Sequence, residues 1–531
     1  MTDHPPLGSV IPRLLVERGI DTVFGIPGVH TVELYRGLPG SGITHITPRH
    51  EQGAGFMADG YARATGRPAA CFIVTGPGLL NIATAMGQAL ADSVPMLVIT
   101  TLNVRPTLGR GEGRLHELRG QSIVGREISA LALTVLTGEQ LVPALDEAFA
   151  FLACARPGPV LIEIPIDLLS EPFAFDQTEP RKQAEPPLPR PGDIGAAARL
   201  IARAKKPLVI AGGGAVAGAP AVRALIEGLG AATLLTTNAK GILPAGHPLL
   251  GGGCMLTPAL HRLIGEADLI LALGTELGET DFWYDGDGLV LNGKLIRVDI
   301  DPRQTGRNAR PFLPVVGDAG QFAAALAHLL TATHDGGAAY ARLLRAARLD
   351  GADPRHARHR PLLDALWQVL PDAVVAADST AASYGGGALA EPPAPRRWMS
   401  ASTGFGTLGY ALPAAIGAKV ARPDVPVICI IGDGGLHFTM PELASAADAG
   451  TPIIVLLWND RRYGEIEDYM IRYQIAPLGV RLHATDFAAA AKAFGADHIA
   501  ANSLAEVKAA MLAAAVSDRT TIIEMDASLY A

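Results

Sequence analysis

Cysteines and clusters of basic residues are both scarce in this sequence of 531 residues. The four cysteines include no CxxC pair, so the sequence predicts no disulfide framework, and a reducing cytoplasm is the expected location. The net charge is −8 and no block of lysine and arginine occurs, which argues against nucleic acid as a partner.

Signals for export and for membrane insertion are also missing. The first residues contain no basic segment followed by an apolar one. No uninterrupted apolar run reaches the roughly 20 residues that a membrane-spanning helix needs. We therefore expect no membrane partner.

Glycine (60) and proline (40) are abundant, whereas aromatic residues make up only 5%, a composition typical of many tight βα turns. At about 150 residues per domain, the length predicts roughly three domains. A charged, proline-rich stretch at 171–193 and a looser one at 331–338 are predicted to be linkers. The expected domains are therefore 1–172, 193–332 and 353–531.

Short apolar runs alternate with helical stretches in all three segments. This pattern predicts an α/β protein with three doubly wound parallel sheets, the central one Rossmann-like. The predicted strands are 21–27, 70–75, 96–100 and 160–166, then 207–211, 267–274 and 294–299, then 373–377, 425–431, 452–458 and 520–525. Three glycines follow the strand at 207–211 without the full GxGxxG spacing, so a structural turn is favoured over a dinucleotide site.

Oxygen ligands follow two apolar runs of the last segment. Asp433 stands in Gly-Asp-Gly-Gly, and Asn459 follows the next run after room for one helix near 441–449. The ends of parallel strands meet at one sheet edge, so this unit predicts a site for Mg²⁺ and a phosphate. Gly434 and Gly435 would let the backbone approach that phosphate closely. The alternative is an ordinary glycine-rich strand end.

The Gly-Asp-Gly spacing to Asn459 resembles the signature of thiamine-diphosphate enzymes, although Asp460 stands where those enzymes usually have a second asparagine. Residues 49–63, Phe-Gly-Ile-Pro-Gly at 24–28 and Thr-Gly-Pro-Gly at 75–78 resemble their pyrimidine-binding domain. The order of segments resembles the acetohydroxyacid synthase and 2-oxo acid decarboxylase superfamily along essentially the whole chain. The three domains would then be pyrimidine-binding, central and diphosphate-binding.

By this resemblance Glu51 hydrogen-bonds N1′ of the cofactor's aminopyrimidine. A proton shared between Glu51 and N1′ would allow the 4′ nitrogen to take the proton from the thiazolium C2. Read without the resemblance, a glutamate at a helix start is compatible with simple capping of the helix dipole.

The resemblance also implies the rest of the cofactor site. Leu408 would wedge the cofactor into a V shape, and the carbonyl of Gly406 would accept from its 4′ amino group. Asp433, Asn459 and the carbonyl of Arg461 would hold Mg²⁺. The remaining residues expected to bind the cofactor are Thr75, Thr380, Gly432, Gly434 and Gly435.

Three strings, at 113–118, 274–281 and 463–466, differ from those of acetohydroxyacid synthases and look most like 5-guanidino-2-oxopentanoate decarboxylase. A carboxylate at Glu465 would suit a guanidinium tail through a bidentate pair. The alternative is that Glu465 is solvated or pairs with Arg461 or Arg462. His116 is a candidate for proton transfer near the cofactor, or else a surface residue.

The substrate is therefore expected to be a 2-oxo acid. No bound FAD is expected, because the synthase string Arg-Phe-Asp-Asp is missing from the central segment. The resemblance implies a homodimer or homotetramer with active sites shared between subunits. Three hypotheses remain open: a decarboxylase, a carboligase that joins the decarboxylated substrate to a second carbonyl, and a cofactor-binding homologue without turnover.

Overall fold

The computed structural model describes residues 4–174, 184–254, 257–282, 289–331, 333–350, 352–526 and 529. Within these ranges the strands form three six-stranded sheets in which every ladder between named strands is parallel. Helices flank each sheet, so the predicted fold class is confirmed. No helix of the described ranges is long and apolar enough to cross a membrane.

The first sheet has the strand order β2-β1-β3-β4-β6-β5. Its strands are β1 (Thr22–Gly25), β2 (Thr44–Ile46), β3 (Ala70–Ile73), β4 (Met96–Leu102), β5 (Leu131–Thr134) and β6 (Pro159–Pro165). Its helices are α1 (Leu7–Val16), α2 (Val32–Arg36), α3 (Glu51–Thr65), α4 (Pro77–Ala91), α5 (Gln121–Glu127), α6 (Gly138–Cys154) and α7 (Ile166–Leu169). The order reverses between β1 and β3, which is where doubly wound sheets form ligand crevices.

The second sheet has the order β12-β11-β10-β7-β8-β9. Its strands are β7 (Pro207–Ala211), β8 (Ala232–Leu235), β9 (Leu250–Gly253), β10 (Leu269–Leu273), β11 (Lys294–Asp299) and β12 (Leu313–Val316). Its helices are α8 (Pro191–Ile201), α9 (Ala219–Leu229), α10 (Pro258–Gly265), α11 (Glu279–Phe282), α12 (Ala319–Ala327) and α13 (Gly337–Asp350).

The third sheet has the order β14-β13-β15-β16-β18-β17. Its strands are β13 (Val374–Ala377), β14 (Trp398–Ser400), β15 (Val427–Gly432), β16 (Ile454–Asn459), β17 (Asp497–Ala501) and β18 (Thr521–Asp526). Its helices are α14 (Pro354–Ala357), α15 (Arg360–Val369), α16 (Ala381–Leu389), α17 (Ala411–Ala421), α18 (Asp433–Thr439), α19 (Glu442–Asp448), α20 (Gly464–Arg472), α21 (Phe487–Ala493) and α22 (Leu504–Ala515). Two helices, α18 and α19, connect β15 to β16, where the sequence had suggested one.

Side chains of the first and third sheets share one hydrophobic core. Its centre is the crossing of α3 and α17, where the rings of Phe56 and Tyr410 pack edge to face at 5.4 Å. A Cβ on Gly60 would lie 2.0 Å from the carbonyl oxygen of Ala414, so the two backbones touch. The crossing therefore fixes the first domain against the third within one chain.

The predicted linkers lie at the edges of the domains. Residues 175–183 of the first one are outside the described residues. The second is short, because α13 begins at Gly337 and packs Tyr340, Ala341 and Leu344 into the core of the second sheet. The helix α13 thus packs against the second sheet, and the domain bounds stay predictions.

Candidate active site

The third sheet reverses its strand order between β13 and β15, and predicted site residues follow both strands. Thr380 follows β13, two positions after Asp378, which was not predicted as a site residue, and Asp433 follows β15 as the first residue of α18. A Cβ on Gly432 would lie 3.4 Å from Oγ1 of Thr380, so the two strand ends are in contact range. The structure thus brings these residues together at the crevice of the sheet.

Asp433 is a buried carboxylate, 3% exposed. Burial, reinforced by the nearby charge of Asp460, raises its pKa to about 6. The same site contains the side-chain oxygen of Asn459, Oδ1, which is buried without a hydrogen-bond partner among the described residues. A cation would favour the ionised carboxylate and satisfy the amide oxygen, so the residues fit Mg²⁺.

The amide of Asn459 is oriented by a neighbouring strand. Its Nδ2 donates to Oε1 of Glu524 on β18 at 2.6 Å, and His498 on β17 contacts Oε2 of Glu524 at 2.7 Å. This arrangement turns Oδ1 away from Glu524 and leaves it available to a ligand.

The third predicted ligand, the carbonyl of Arg461, accepts a hydrogen bond from the N–H of Leu482 at 2.9 Å. A carbonyl oxygen has a second lone pair, so a further ligand bond is compatible with this contact. Among the described residues, no group of three or more His, Cys, Asp or Glu could hold a metal ion. The predicted ligand set is of another kind, because it combines one carboxylate with an amide oxygen and a backbone carbonyl.

The two glycines after Asp433 are required by close neighbours. A Cβ on Gly434 would lie 2.7 Å from the ring of Tyr463, and one on Gly435 would lie 2.9 Å from Oδ1 of Asp378. Any side chain at either position would displace a part of the site.

The loop before α17, with Gly406 and Leu408, is tied to the crevice and to the first domain. Asp378 accepts hydrogen bonds from the backbone N–H groups of Gly409 at 3.2 Å and Ala411 at 3.0 Å. Gln88 of α4 accepts from both the N–H and the hydroxyl of Thr407.

Leu408 is half-buried, and Gly406 has a φ of +72° with open space beside it. The loop can therefore present a side chain and a carbonyl to a ligand.

Glu51 lies in the first domain, at the N-terminus of α3. Its Oε2 accepts a hydrogen bond from Nδ2 of Asn81 on α4 at 2.9 Å, and a Cβ on Gly78 would lie 3.5 Å from Oε1. The carboxylate is half-buried, and Asn81 fixes its orientation.

Two histidines lie at the crevice between β1 and β3 of the first sheet. The rings of His30 and His116 meet edge to face with centroids 5.0 Å apart. Nδ1 of His30 lies 3.1 Å from Oγ1 of Thr75, which in turn lies 2.8 Å from the hydroxyl of Thr101. Burial, helped by the charge of His116, lowers the pKa of His30. His116 thus lies beside a buried imidazole whose neutral form is favoured by burial.

Glu465 is the second residue of α20 and already has basic neighbours in this structure. Its Oε2 lies 3.5 Å from the guanidinium of Arg355, and its Oε1 lies 3.0 Å from Nε2 of His356. These partners come from α14, whereas the sequence had suggested Arg461 or Arg462. A substrate guanidinium would therefore compete with Arg355 for this carboxylate.

The predicted site residues lie in two different domains of the chain. No hydrogen bond or ion pair among the described residues joins Glu51 directly to Asp433 or Asn459. Apolar side chains near both halves are exposed. They include Val29, Val32, Leu80 and Leu115 in the first domain and Phe405, Phe438, Ile466 and Tyr469 in the third.

A cleft of about 360 Å³ lies where the three domains meet. The carboxyl ends of β7 and β10 line it with Gly213, Gly214 and Thr275. Arg63 of α3 borders the cleft and pairs with both Asp59 and Asp92 at 2.6 Å. The three glycines at 212–214 therefore border open space, and the structural turn favoured over a dinucleotide site stays a prediction.

Comparison with known proteins identifies the family of this chain. Three models of thiamine pyrophosphate enzymes match the chain: the N-terminal TPP-binding domain at 6–123, the central domain at 194–326 and the C-terminal TPP-binding domain at 383–525. The chain therefore belongs to the thiamine-pyrophosphate-dependent enzymes, in which thiamine pyrophosphate is another name for thiamine diphosphate.

Named relatives cover nearly the whole chain. A probable 2-ketoarginine decarboxylase of Pseudomonas aeruginosa is 44% identical over 98% of this chain and 93% of its own length. An acetolactate synthase of Mycobacterium bovis is 32% identical over 92% of this chain and 82% of its own length. The large subunit of acetolactate synthase isozyme 1 of Escherichia coli is 33% identical over 86% and 81%, respectively.

Several residues that build the site were not predicted from the sequence. They are His30, Asn81, Asp378 and Glu524. Asp378 stands at a strand end next to Thr380, and this position is a signal that could have found it. Asn81 lies on a different helix from its partner Glu51, and Glu524 lies on a different strand from its partner Asn459. No local sequence pattern indicates such pairs.

Proposed function

We propose that the protein catalyses the non-oxidative decarboxylation of a 2-oxo acid with thiamine diphosphate and Mg²⁺. The observation that carries the proposal is the buried Asp433 beside the unpartnered Oδ1 of Asn459, at the crevice of a domain that the family model for TPP binding matches. The relative named as a decarboxylase supports a carboxy-lyase activity.

When bound, thiamine diphosphate supplies a carbon nucleophile and an electron sink for the departing carboxylate. Asp433, Asn459 and the Arg461 carbonyl would hold the cation that positions the diphosphate, with Thr380 beside it. Glu51, oriented by Asn81, would hold a proton at the pyrimidine ring. His116 would donate a proton to the product-forming carbon.

For the substrate we propose 5-guanidino-2-oxopentanoate, the compound also called 2-ketoarginine. The name of the Pseudomonas relative supports this choice. Glu465 at the start of α20 is our candidate for the guanidinium partner, since it follows the proposed metal ligands and retains 30% exposure. No FAD is part of the proposal.

We further propose that the active site is shared between two copies of the chain in a dimer or a dimer of dimers. Glu51 and Asp433 have no direct contact in one chain, and exposed apolar side chains surround both halves. A second copy would cover these side chains and bring one chain's Glu51 to the other's Asp433.

Product analysis with a panel of 2-oxo acids tests the reaction and the substrate. The purified protein with thiamine diphosphate and Mg²⁺ is expected to release CO₂ and 4-guanidinobutanal from 5-guanidino-2-oxopentanoate faster than it turns over pyruvate. A protein that binds the cofactor but releases no CO₂ from any member of the panel would contradict the decarboxylase proposal.

Hybrid dimers test the shared site. Glu51→Gln and Asp433→Ala chains carrying different affinity tags are co-expressed, and hybrids are isolated through both tags. A shared site predicts one intact site in two, hence about half of wild-type activity, whereas each single variant is inactive. Inactive hybrids would show that both residues must belong to the same chain.

A carboligase is the second candidate, because the acetolactate synthases of Mycobacterium bovis and Escherichia coli are also relatives of this chain. Carboligation uses the same cofactor residues and differs in the acceptor. If the wild type couples two molecules of pyruvate and leaves the guanidino acid unchanged, this candidate replaces the decarboxylase.

A further inference from the structure

Glu442, the first residue of α19, is a carboxylate of the third domain that is 1% exposed and contacts the first domain. Its two oxygens accept hydrogen bonds from the backbone N–H of Arg49 at 3.0 and 3.1 Å, and Oε1 also accepts from the N–H of His50 at 3.1 Å. Ser445 donates to Oε2 at 2.6 Å. The carboxylate is thus satisfied mainly by one short segment of backbone in another domain.

The segment bound by Glu442 is the entry to α3. Arg49 and His50 immediately precede Glu51, where the helix begins. Backbone N–H groups near a helix start have no partner within the helix, and an anionic acceptor there is favoured by the helix dipole. His50 is the N-cap residue, and its own Nδ1 accepts from the N–H of Gln52 at 3.1 Å. Glu442 therefore adds, from the third domain, an acceptor for the N–H groups of His50 and Arg49.

The surroundings are shaped around this carboxylate. A Cβ on Gly53 would lie 2.2 Å from Oε1 of Glu442, so residue 53 must lack a side chain for the contact to form. The guanidinium of Arg49 pairs with Asp448 at the other end of α19 at 2.5 Å. The segment before Glu51 is thus attached to α19 at two points.

We infer that Glu442 is a positioning residue for Glu51: by fixing the backbone of Arg49 and His50, it sets where the carboxylate of Glu51 meets the cofactor. This inference rests on the proposed function, in which Glu51 acts on the pyrimidine ring. Asn81 orients the side chain of Glu51, and Glu442 fixes the backbone from which that side chain extends.

The helices α18 and α19 connect the two groups of predicted site residues within one chain. α18 begins with Asp433, the proposed metal ligand, and α19 begins with Glu442 nine positions later. The elements that carry the metal half-site are therefore continuous with the element that holds Glu51. In the shared-site dimer, this connection would fix the spacing between one active site and the next.

The test is Glu442→Gln in the full-length protein. The amide would place an N–H₂ group where one oxygen now accepts, so the backbone at residues 49–50 loses an acceptor while the side-chain volume is kept. Hydrogen–deuterium exchange at C2 of bound thiamine diphosphate is expected to slow about 10- to 100-fold, the scale of a small misplacement of a catalytic group. The half-saturating cofactor concentration should change by no more than about threefold, because the diphosphate half-site is untouched.

Two controls separate positioning from general stability. Asp448→Asn removes the ion pair with Arg49 from the same interface but leaves the acceptor for residues 49–50, so C2 exchange should stay within about twofold of wild type. Gly53→Ala keeps Glu442 but pushes its carboxylate aside, so it should slow exchange as Glu442→Gln does. It is also the second variant if Glu442→Gln fails to fold.

Each outcome decides one question. Slow exchange in Glu442→Gln and Gly53→Ala with near-wild-type cofactor binding supports the inference. A lower melting temperature with unchanged exchange overturns it and leaves Glu442 a purely structural contact. If the wild type itself shows no C2 exchange with bound cofactor, the proposed function fails first, and the two failures are thereby distinguishable.

Discussion

Glu465 and Arg355 should have opposite effects on turnover of a guanidinium substrate. The two side chains lie 3.5 Å apart, and each is 30% exposed. At that distance the Coulomb attraction is roughly 5 kcal/mol with an effective dielectric constant near 20. In measurements, the net stabilisation by partly exposed ion pairs of this kind is only about 1 kcal/mol or less, because solvent screens the charges and desolvation opposes the pairing. A bidentate substrate guanidinium can therefore displace Arg355 and still gain from binding Glu465.

Glu465→Gln should lower kcat/KM for 5-guanidino-2-oxopentanoate by at least about tenfold, equivalent to about 1.4 kcal/mol. Turnover of uncharged straight-chain 2-oxo acids should hold or improve. Arg355→Gln should raise kcat/KM for the guanidino acid about three- to tenfold, because it removes the competitor for Glu465.

Steady-state kinetics of both variants on both substrates give the measurement, with Asp468→Asn as the matched control. Asp468 lies 3.2 Å from the guanidinium of Arg355 but has no proposed contact with substrate, so its variant should stay within about twofold of wild type. If Glu465→Gln and Arg355→Gln both impair both substrates, the pair is structural and Glu465 does not select the guanidinium.

Three further predictions concern the cofactor. Glu51→Gln can still accept from Asn81, so the fold and cofactor binding should persist while C2 exchange slows by about 10²–10⁴; unchanged exchange would remove Glu51 from the mechanism. Asp433→Ala should abolish the rise in melting temperature that thiamine diphosphate with Mg²⁺ gives the wild type, and EDTA should do the same to the wild type; equal shifts in wild type and variant would place the metal elsewhere. The purified protein should show no flavin absorption near 450 nm, and a band there that denaturation releases would identify bound FAD.

The sheets could be predicted because their strands are nearly continuous apolar runs. Two of these runs, Pro207–Ala211 and Lys294–Asp299, were predicted with the bounds that the structure shows. The strand Leu250–Gly253 was missed, because three glycines give no strand signal. Pairing with β8 and packing under α13 stabilise it, and both are long-range contacts.

The connection after β15 differed from the prediction for another reason. The sequence had suggested one helix near 441–449, yet α18 already begins at Asp433. Gly434 and Gly435 are poor helix formers, and so the pattern favours a loop. The ring of Tyr463 and the carboxylate of Asp378 leave no room for side chains there, and this packing outweighs the local preference.

The residues that the resemblance assigns to the cofactor could be named from motifs, whereas the residues that orient their side chains could not. Glu51 and Asn459 stand in recognisable strings. Their partners Asn81 and Glu524 lie 30 and 65 positions away along the chain. The spacing of such pairs is set by how helices and strands pack, and a single sequence carries no direct record of it.

The crossing of α3 and α17 connects the predicted cofactor-binding residues of the first domain to those of the third. α3 begins with Glu51, and α17 follows the loop of Gly406 and Leu408. A Cβ on Gly417 would lie 1.8 Å from the carbonyl oxygen of Met57, so the helices touch through their backbones and cannot slide without a clash. If two copies share the active site, as we propose, its geometry would then depend on how two such chains meet.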